Sequence, residues 1–255
     1  MTLSLRRAVT GLLSFAAAEE QALLAAAGFA EPGEDPGSSG ARGGRGGPDR
    51  WGAVPLVAHN NQFKDQQAER LGAVLAGQVP PAFGEIDHAS AEVYDGYRTQ
   101  PFAQVLRECR LVTAELIDRT WALPDEDLLD PDRHAWLRGR MLWLQIVVRG
   151  FWHPTGHVGD YYLGHGEPGR AVDMQAHAVA MARYLGAPAQ AVAMAEYSLA
   201  CALARVGRSD EAAATLAQAI SANTDLRANA SRDPDLAVLR SGGALDALLT
   251  PAGAL

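Results

Sequence analysis

Apolar residues recur at helical spacing along most of the chain, and runs of β-branched residues are nearly absent. This periodicity predicts four long amphipathic helices in the N-terminal part of the sequence, over about 3–28, 53–76, 101–121 and 139–163. Glu19 and Glu20 interrupt the apolar run of the first helix. Because four helices of this length form a bundle, we predict a four-helix bundle over residues 1–165.

The sequence that follows Pro168 is richer in alanine and predicts shorter helices. Three of these helices are predicted over about 169–185, 188–206 and 209–223, with turns at Gly186 and Gly207. From Tyr197 to Ala219, small and large residues follow the spacing of a tetratricopeptide repeat. About one and a half units are present, whereas an independent array needs about three. We therefore predict that residues 166–255 form a tetratricopeptide-like segment that packs on the bundle.

Glycine and proline are concentrated between the first two predicted helices. Ten of the twenty residues from 31 to 50 are Gly or Pro, and none of the apolar side chains there is larger than alanine. Such a composition is typical of a flexible loop. The sequence leaves open whether this loop covers a site or is a tolerated insertion.

Composition narrows the class of fold and of partner. Alanine and leucine dominate the apolar residues, and aromatic residues make up 7% of the chain. Such a composition disfavours β-sandwiches, barrels and parallel sheets, so we predict an all-α fold. The formal net charge is −8. Because nucleic-acid-binding faces are usually basic, we expect no nucleic-acid partner.

Two further features concern the cellular compartment. Cys109 and Cys201 form neither a CxxC motif nor a disulfide framework, which is typical of reduced thiols in the cytosol. The apolar stretch after Arg7 resembles a short signal peptide, but it also has the periodicity of the first helix. It is too short to span a bilayer. We expect a cytoplasmic protein with no membrane partner.

Three of the seven histidines are candidate metal ligands. His59 lies on the apolar face of the second predicted helix, and His153 and His157 are four residues apart on the fourth. This spacing places two imidazoles on one helix face, roughly 6 Å apart along the axis. Three imidazoles can hold a divalent ion and leave positions open for water or substrate. The alternative is that these are hydrogen-bonded core histidines.

Pro154 lies between the two histidines of the fourth helix. It removes a backbone donor and clashes with the carbonyl of Gly150, so we predict a kink at this point. The kink either re-aims His153 or only bends the helix around the core. No glutamate stands in the HExxH position, which excludes a zincin-type protease.

Several segments in this order resemble a known family. They are DRWGAVPLVAHNNQFKDQQAERL, IDHASAEVY, WLRGRMLWLQIVVRGFWHPTGHVGDYYL, YSLACALARVGRSDEAAATLAQAI and DPDLAVLR. Together they resemble the DinB-like superfamily of four-helix bundles, and most closely its ClbS/DfsB-like branch with a tetratricopeptide-like tail. The resemblance implies a DinB-like bundle over residues 1–165. It also implies a metal site formed by His59, His153 and His157.

The resemblance also implies an activity. The superfamily is described as metal-dependent hydrolases, with thiol-dependent transferases in some branches. The ClbS/DfsB-like branch includes proteins that protect bacteria by opening an electrophilic small-molecule toxin. The resemblance therefore implies that this protein is a hydrolase, or a ring-opening or transfer enzyme, that acts on a small electrophilic molecule in toxin or antibiotic self-resistance. The cofactor would be zinc, nickel, manganese or iron, activating water as a Lewis acid. Two alternatives remain: a non-catalytic protein that sequesters a ligand, and an adaptor that binds proteins through the tail.

Other residues are candidates for supporting roles. Asp160, three residues after His157, is a candidate to orient an imidazole. Asn60 and Asn61 follow His59 where the family usually carries apolar residues, and their amides are candidates to contact a substrate. The candidate pocket residues are Asn60, Phe63, Trp143, Trp152 and Tyr161. At least two of the three residues Trp143, Trp152 and Tyr161 are expected to serve core packing instead. The expected partner is a small molecule, and the sequence leaves a homodimer open.

Overall fold

The computed structural model describes residues 2–28, 50–83 and 91–249. These residues form helices and turns without a β-strand, so the predicted all-α class is confirmed. The chain divides into two compact units, Met1–His165 and Gly166–Leu255. Apart from Arg50, the predicted 31–50 loop lies outside the described residues. Among the described helices, none combines the length and the apolar character needed to cross a membrane.

The first unit contains the long helices that the periodicity predicts. Its elements are α1 (Thr2–Gly28), α2 (Ala53–Leu75), α3 (Ala91–Arg98), α4 (Phe102–Ala122), α5 (Asp125–Leu129), a 3-10 turn (Ala135–Leu137), α6 (Leu142–Val147), a π-helical turn (Val148–Trp152) and α7 (His153–Gly164). Helices α1 and α2 each pack against α4 and against α7. Fully buried leucines from three of these helices, among them Leu12, Leu56 and Leu116, form the core between them.

Two short helices of the first unit were not predicted. The segment after Pro124 lies between the third and fourth predicted helices and forms α5. Three acidic residues in the first turn favour a helix start there, because they interact with the positive end of the helix dipole. Leu128 anchors this helix by burying its side chain. Helix α3 is similarly short, and only Tyr97 of its described side chains is buried.

The fourth predicted helix contains a π-helical turn just before Pro154. The backbone N–H of His153 donates to the carbonyl of Val148, five residues earlier, instead of four. Pro154 carries no N–H and would leave the carbonyl of Gly150 without its α-helical donor. The widened turn is one of the known responses to such an interruption, and π turns are frequent at functional sites. It sets the orientation of the helix face that carries His153 and His157.

Gly150 is required in this turn for steric reasons. A Cβ atom at position 150 would lie 2.2 Å from a methyl carbon of Leu13 and 3.0 Å from one of Leu116, both in the core. We expect Gly150→Ala to lower the free energy of unfolding by about 1–3 kcal/mol, because the core would be overpacked. Gly156→Ala on α7 is the matched control, since a Cβ atom there meets nothing within 4 Å. Urea unfolding of both variants tests this, and equal stabilities would contradict it.

The second unit is built on three Ala-rich helices. They are α8 (Pro168–Tyr184), α9 (Ala189–Arg205) and α10 (Ser209–Ala222), and shorter helices α11 (Leu226–Ala230), α12 (Ala237–Ser241) and α13 (Ala244–Leu249) follow. Helix α9 packs against α8 and α10, with Ala200, Ala212 and Ala219 fully buried. Gly186 and Gly207 have φ of +64° and +80°, which is the left-handed conformation that ends many helices. The tetratricopeptide assignment and the packing of this segment on the bundle stay predictions.

Candidate metal centre

The structure brings His59 of α2 together with His153 and His157 of α7. One nitrogen from each ring can be chosen so that all three atoms lie within 4.8 Å of one another. The Nε2 atoms of His59 and His153 are 3.2 Å apart. The rings of His153 and His157 meet edge to face, with centroids 4.3 Å apart. His59 is fully buried, whereas the two α7 histidines are half-buried.

These distances fit a bound divalent ion. Two nitrogens that ligate zinc at about 2.0–2.1 Å in a tetrahedral arrangement lie about 3.3 Å apart. The His59–His153 separation of 3.2 Å agrees with this value. An N–H···N hydrogen bond between two neutral imidazoles fits the same distance. The third imidazole is what favours a metal site, since a hydrogen-bonded pair does not need it.

Aromatic rings surround the innermost imidazole. Trp51 and Tyr97 each lie 5.5 Å from the His59 ring, and Phe63 lies 4.7 Å from it, measured between centroids. Phe63 also stacks on His153 at 4.4 Å. Rings at these distances limit access of water and hold the imidazoles in place. Sequence reasoning did not single out Trp51 or Tyr97, although Trp51 lies in a segment that carries the family resemblance.

Asp160 lies near the cluster, beside His157. Its Oδ2 is 3.9 Å from Nδ1 of His157, which is beyond hydrogen-bond range. Both side chains are partly exposed, at 31% for Asp160 and 18% for His157. The predicted role of Asp160 as an orienting partner therefore needs a closer approach of the two side chains.

The predicted pocket residues occupy different environments. Phe63 contacts both His59 and His153. Trp143 is buried and its Nε1 donates to the sulfur of Met141 at 3.3 Å. Tyr161 is buried and stacks on His165 at 3.8 Å, while Trp152 is half-buried. The contacts of Trp143 and Tyr161 are those of packed side chains.

Two amides on α2 are buried in the polar interior of the unit. The side-chain nitrogen and oxygen of Asn60 and of Gln67 are buried, and neither amide bonds to another group among the described residues. Such buried amides normally need a partner, and water or a polar ligand can supply one. Asn61 is different, because its Nδ2 donates to the backbone carbonyl of Val105 at 3.0 Å. Asn61 therefore ties α2 to α4, whereas Asn60 stays a candidate ligand contact.

A buried ion pair lies deeper in the same unit. Lys64 Nζ is 2.7 Å from Glu20 Oε2, and the two side chains are 1% and 0% exposed. Burial lowers the pKa of Lys64, but the charge of Glu20 and its hydrogen bond to Lys64 raise it, and the net pKa lies above the ordinary value. Burial and the Glu20 carboxylate raise the pKa of the Cys109 thiol to about 12. Periodicity did not indicate this pair, because both residues resemble polar interruptions of an apolar face.

A second group of potential ligand atoms lies in the C-terminal unit. It consists of Cys201, Asp233 and Asp235. Its carboxylates already have protein partners, since Tyr197 donates to Asp233 Oδ2 at 2.7 Å and Arg205 Nε lies 3.6 Å from Asp235 Oδ1. The side chain of Asp233 also caps a helical turn by accepting from the Asp235 N–H. These contacts are those of a structural network, so the three histidines are the better metal site.

Neither the family models, nor the curated proteins, nor the solved structures contain a match to this chain. The fold and the site therefore define the class: an all-α protein with a candidate three-histidine metal centre inside its N-terminal unit.

Proposed function

We propose that the protein is a metal-dependent hydrolase, or a related ring-opening or transfer enzyme, that acts on a small electrophilic molecule. One observation carries this proposal: His59, His153 and His157 lie on two different helices, and their ring nitrogens lie close enough together to hold one ion. The resemblance of the segments around these residues to the DinB-like superfamily, and to its ClbS/DfsB-like branch, supports the same class. A role in toxin or antibiotic self-resistance belongs to this proposal.

The residues fit such an ion by number and by kind. Three neutral imidazoles suit zinc, nickel, manganese or iron, and three protein ligands leave coordination positions for water and substrate. The ion supplies Lewis-acid chemistry and makes water a nucleophile near neutral pH. His59 would hold the fully buried side of the site, and the half-buried His153 and His157 would hold the other side. Phe63 and Trp51 shield the inner side from bulk water.

Hydrolysis at this site would consist of the attack of one water molecule on the substrate. The oxygen of water forms a bond to the electrophilic carbon of the substrate, and the bond from that carbon to its leaving atom breaks. The proton lost by water goes to the leaving atom. An ester, a lactone or a strained ring satisfies this description.

Turnover by the reconstituted protein tests the proposal. Protein made without a polyhistidine tag is stripped of metal and reloaded with zinc, nickel, manganese or iron in turn, and an aryl ester and an epoxide are offered. We expect metal-dependent product formation that His153→Ala abolishes. His177→Ala removes an exposed imidazole from the C-terminal unit and is expected to keep full activity. Equal turnover by both variants, or turnover without metal, would contradict the proposal.

Sequestration is the second candidate function. It is favoured because the spacing of the residues around the three histidines fixes no obvious general base. A protein of this kind would bind an electrophile in a fixed stoichiometry and release it unchanged. Mass analysis of the ligand after incubation separates the two functions, because opening of a ring by water adds the mass of one water molecule and hydrolysis of an open-chain ester splits the ligand into an acid and an alcohol.

A further inference from the structure

A cavity of about 470 Å³ lies in the N-terminal unit. The end of α2, the segment 80–83, the turn around Trp136 and the residues that lead into the π-helical turn line it. Its volume is within the range of small-molecule sites, about 300–1,000 Å³. Neither the metal site nor the proposed hydrolysis uses this cavity.

Four arginines line the cavity, and none of the described residues that line it is acidic. They are Arg70, Arg138, Arg140 and Arg149. Across residues 2–28, 50–83 and 91–249, none of the four is ion-paired with a carboxylate, although the chain as a whole has a net charge of −8. Four like charges at one concave site repel one another, so the cavity carries a strong positive potential that favours an anion.

Two of the arginines are held in place by their surroundings. The guanidinium of Arg70 lies over the ring of Phe83 at 4.9 Å and over that of Trp136 at 5.7 Å. Arg149 lies over the ring of Phe63 at 4.7 Å. Aromatic faces fix a guanidinium and leave N–H groups at its edge available to an anion, and Nε of Arg70 also donates to the backbone carbonyl of Pro81 at 3.5 Å. Burial, and then the charge of Arg70, lower the pKa of Arg149. The negative charge of a bound anion would stabilise the charged form of Arg149 against both its burial and the repulsion from Arg70.

The backbone next to these arginines is strained. Arg138 has φ of 53° and ψ of 49°, the left-handed conformation that costs a residue with a side chain about 1–2 kcal/mol. Gly139 follows with φ of +80°. Strain of this kind often marks functional positions. Here the strained turn carries Arg138 and Arg140, which line the cavity together with Arg70 and Arg149.

We propose that this cavity is a binding site for the carboxylate or phosphate group of a small organic anion. Guanidinium groups match both anions in geometry and can bind them through paired N–H donors. The overall charge of −8 disfavours a polyanion such as nucleic acid. The site goes beyond the proposed hydrolase and does not depend on a metal ion, although Phe63 contacts both Arg149 and His153.

Titration calorimetry on the metal-free, full-length protein tests this site with phenyl phosphate, benzoate and phenol. We expect at least one of the two anions to bind with a stoichiometry of one, and phenol not to bind. Arg70→Gln and Arg149→Gln are each expected to weaken anion binding about 10- to 100-fold, because each removes a charged hydrogen-bond donor. Preference for one anion identifies the group that the site recognises.

The control variants test whether anion binding depends on these arginines in particular, and whether it is independent of the metal site. Arg110→Gln removes an exposed arginine from α4 and is expected to bind the anion as wild type does. His153→Ala is also expected to keep anion binding, so failure of the metal site leaves this result intact. Arg138→Gln serves as a further variant, because its exposed side chain can be changed without disturbing the core. Absence of anion binding, binding of phenol as tight as that of the anions, or equal losses in Arg110→Gln and Arg149→Gln would overturn the proposal.

Discussion

Lys64→Met is expected to lower the free energy of unfolding by about 3–5 kcal/mol. The Glu20 carboxylate is fully buried, and Lys64 Nζ at 2.7 Å is its charge partner. Removing the ammonium group leaves a charge inside the core without compensation, or forces Glu20 to take up a proton. Methionine preserves most of the apolar volume of the lysine side chain. Urea unfolding, followed by circular dichroism, measures the change.

Two further variants make this result specific. The double variant Glu20→Gln with Lys64→Met removes both charges of the buried pair. We therefore expect the double variant to recover most of the stability that Lys64→Met loses. Arg98→Met breaks the exposed ion pair with Asp95 and is expected to have far less effect, because water screens that pair. If Lys64→Met were no more destabilising than Arg98→Met, the buried pair would not contribute as described.

His153→Ala is expected to weaken zinc binding by more than about 100-fold. Loss of a residue that only orients a ligand already costs about 10- to 100-fold, and this variant removes a ligand outright. His153 is the residue whose Nε2 lies 3.2 Å from that of His59, so its loss opens the closest pair of the cluster. Competition titration with a chromophoric chelator measures the affinity.

The control for this variant is His177→Ala, which removes an exposed imidazole in the C-terminal unit. We expect it to bind zinc as wild type does. Comparable losses in the two variants, or an unchanged affinity in His153→Ala, would mean that zinc binds elsewhere. Unfolding curves of both variants show whether a change in affinity reflects a change in fold.

The sequence predicted the long helices because their apolar residues are spaced for burial on one face. It placed His153 and His157 on one face for the same reason, since residues four apart on a helix lie one above the other. The position of His59 on the apolar face of α2 was sufficient to expect it inside. Helical periodicity therefore predicted the positions of the three histidines as well as the long helices.

Other features could not be predicted from periodicity. Pro154 indicated an interruption in the fourth helix, but not that the interruption takes the form of a π-helical turn before His153. Lys64 and Glu20 look like solvent-exposed positions in sequence, and only their meeting across two helices reveals a buried pair. A pattern along one helix carries no information on which charge of a distant helix faces it.

The arginine cavity could not be predicted for the same reason, because its residues are far apart in the sequence. Arg70 belongs to the end of α2, whereas Arg138, Arg140 and Arg149 lie around the start of α6 and the π-helical turn. The tertiary fold brings them together, and the overall acidity of the sequence conceals their local excess of positive charge. The short helices α3 and α5 were missed because they are too brief to show a period.

Anomalous X-ray diffraction from crystals of zinc-loaded protein tests the central claim most directly. Data collected on the two sides of the zinc absorption edge locate the ion without reference to any assumed function. We predict one strong anomalous peak at about 2.0–2.1 Å from a ring nitrogen of each of His59, His153 and His157. A protein without a peak at this cluster, or with its main peak at Cys201, Asp233 and Asp235, would contradict the account.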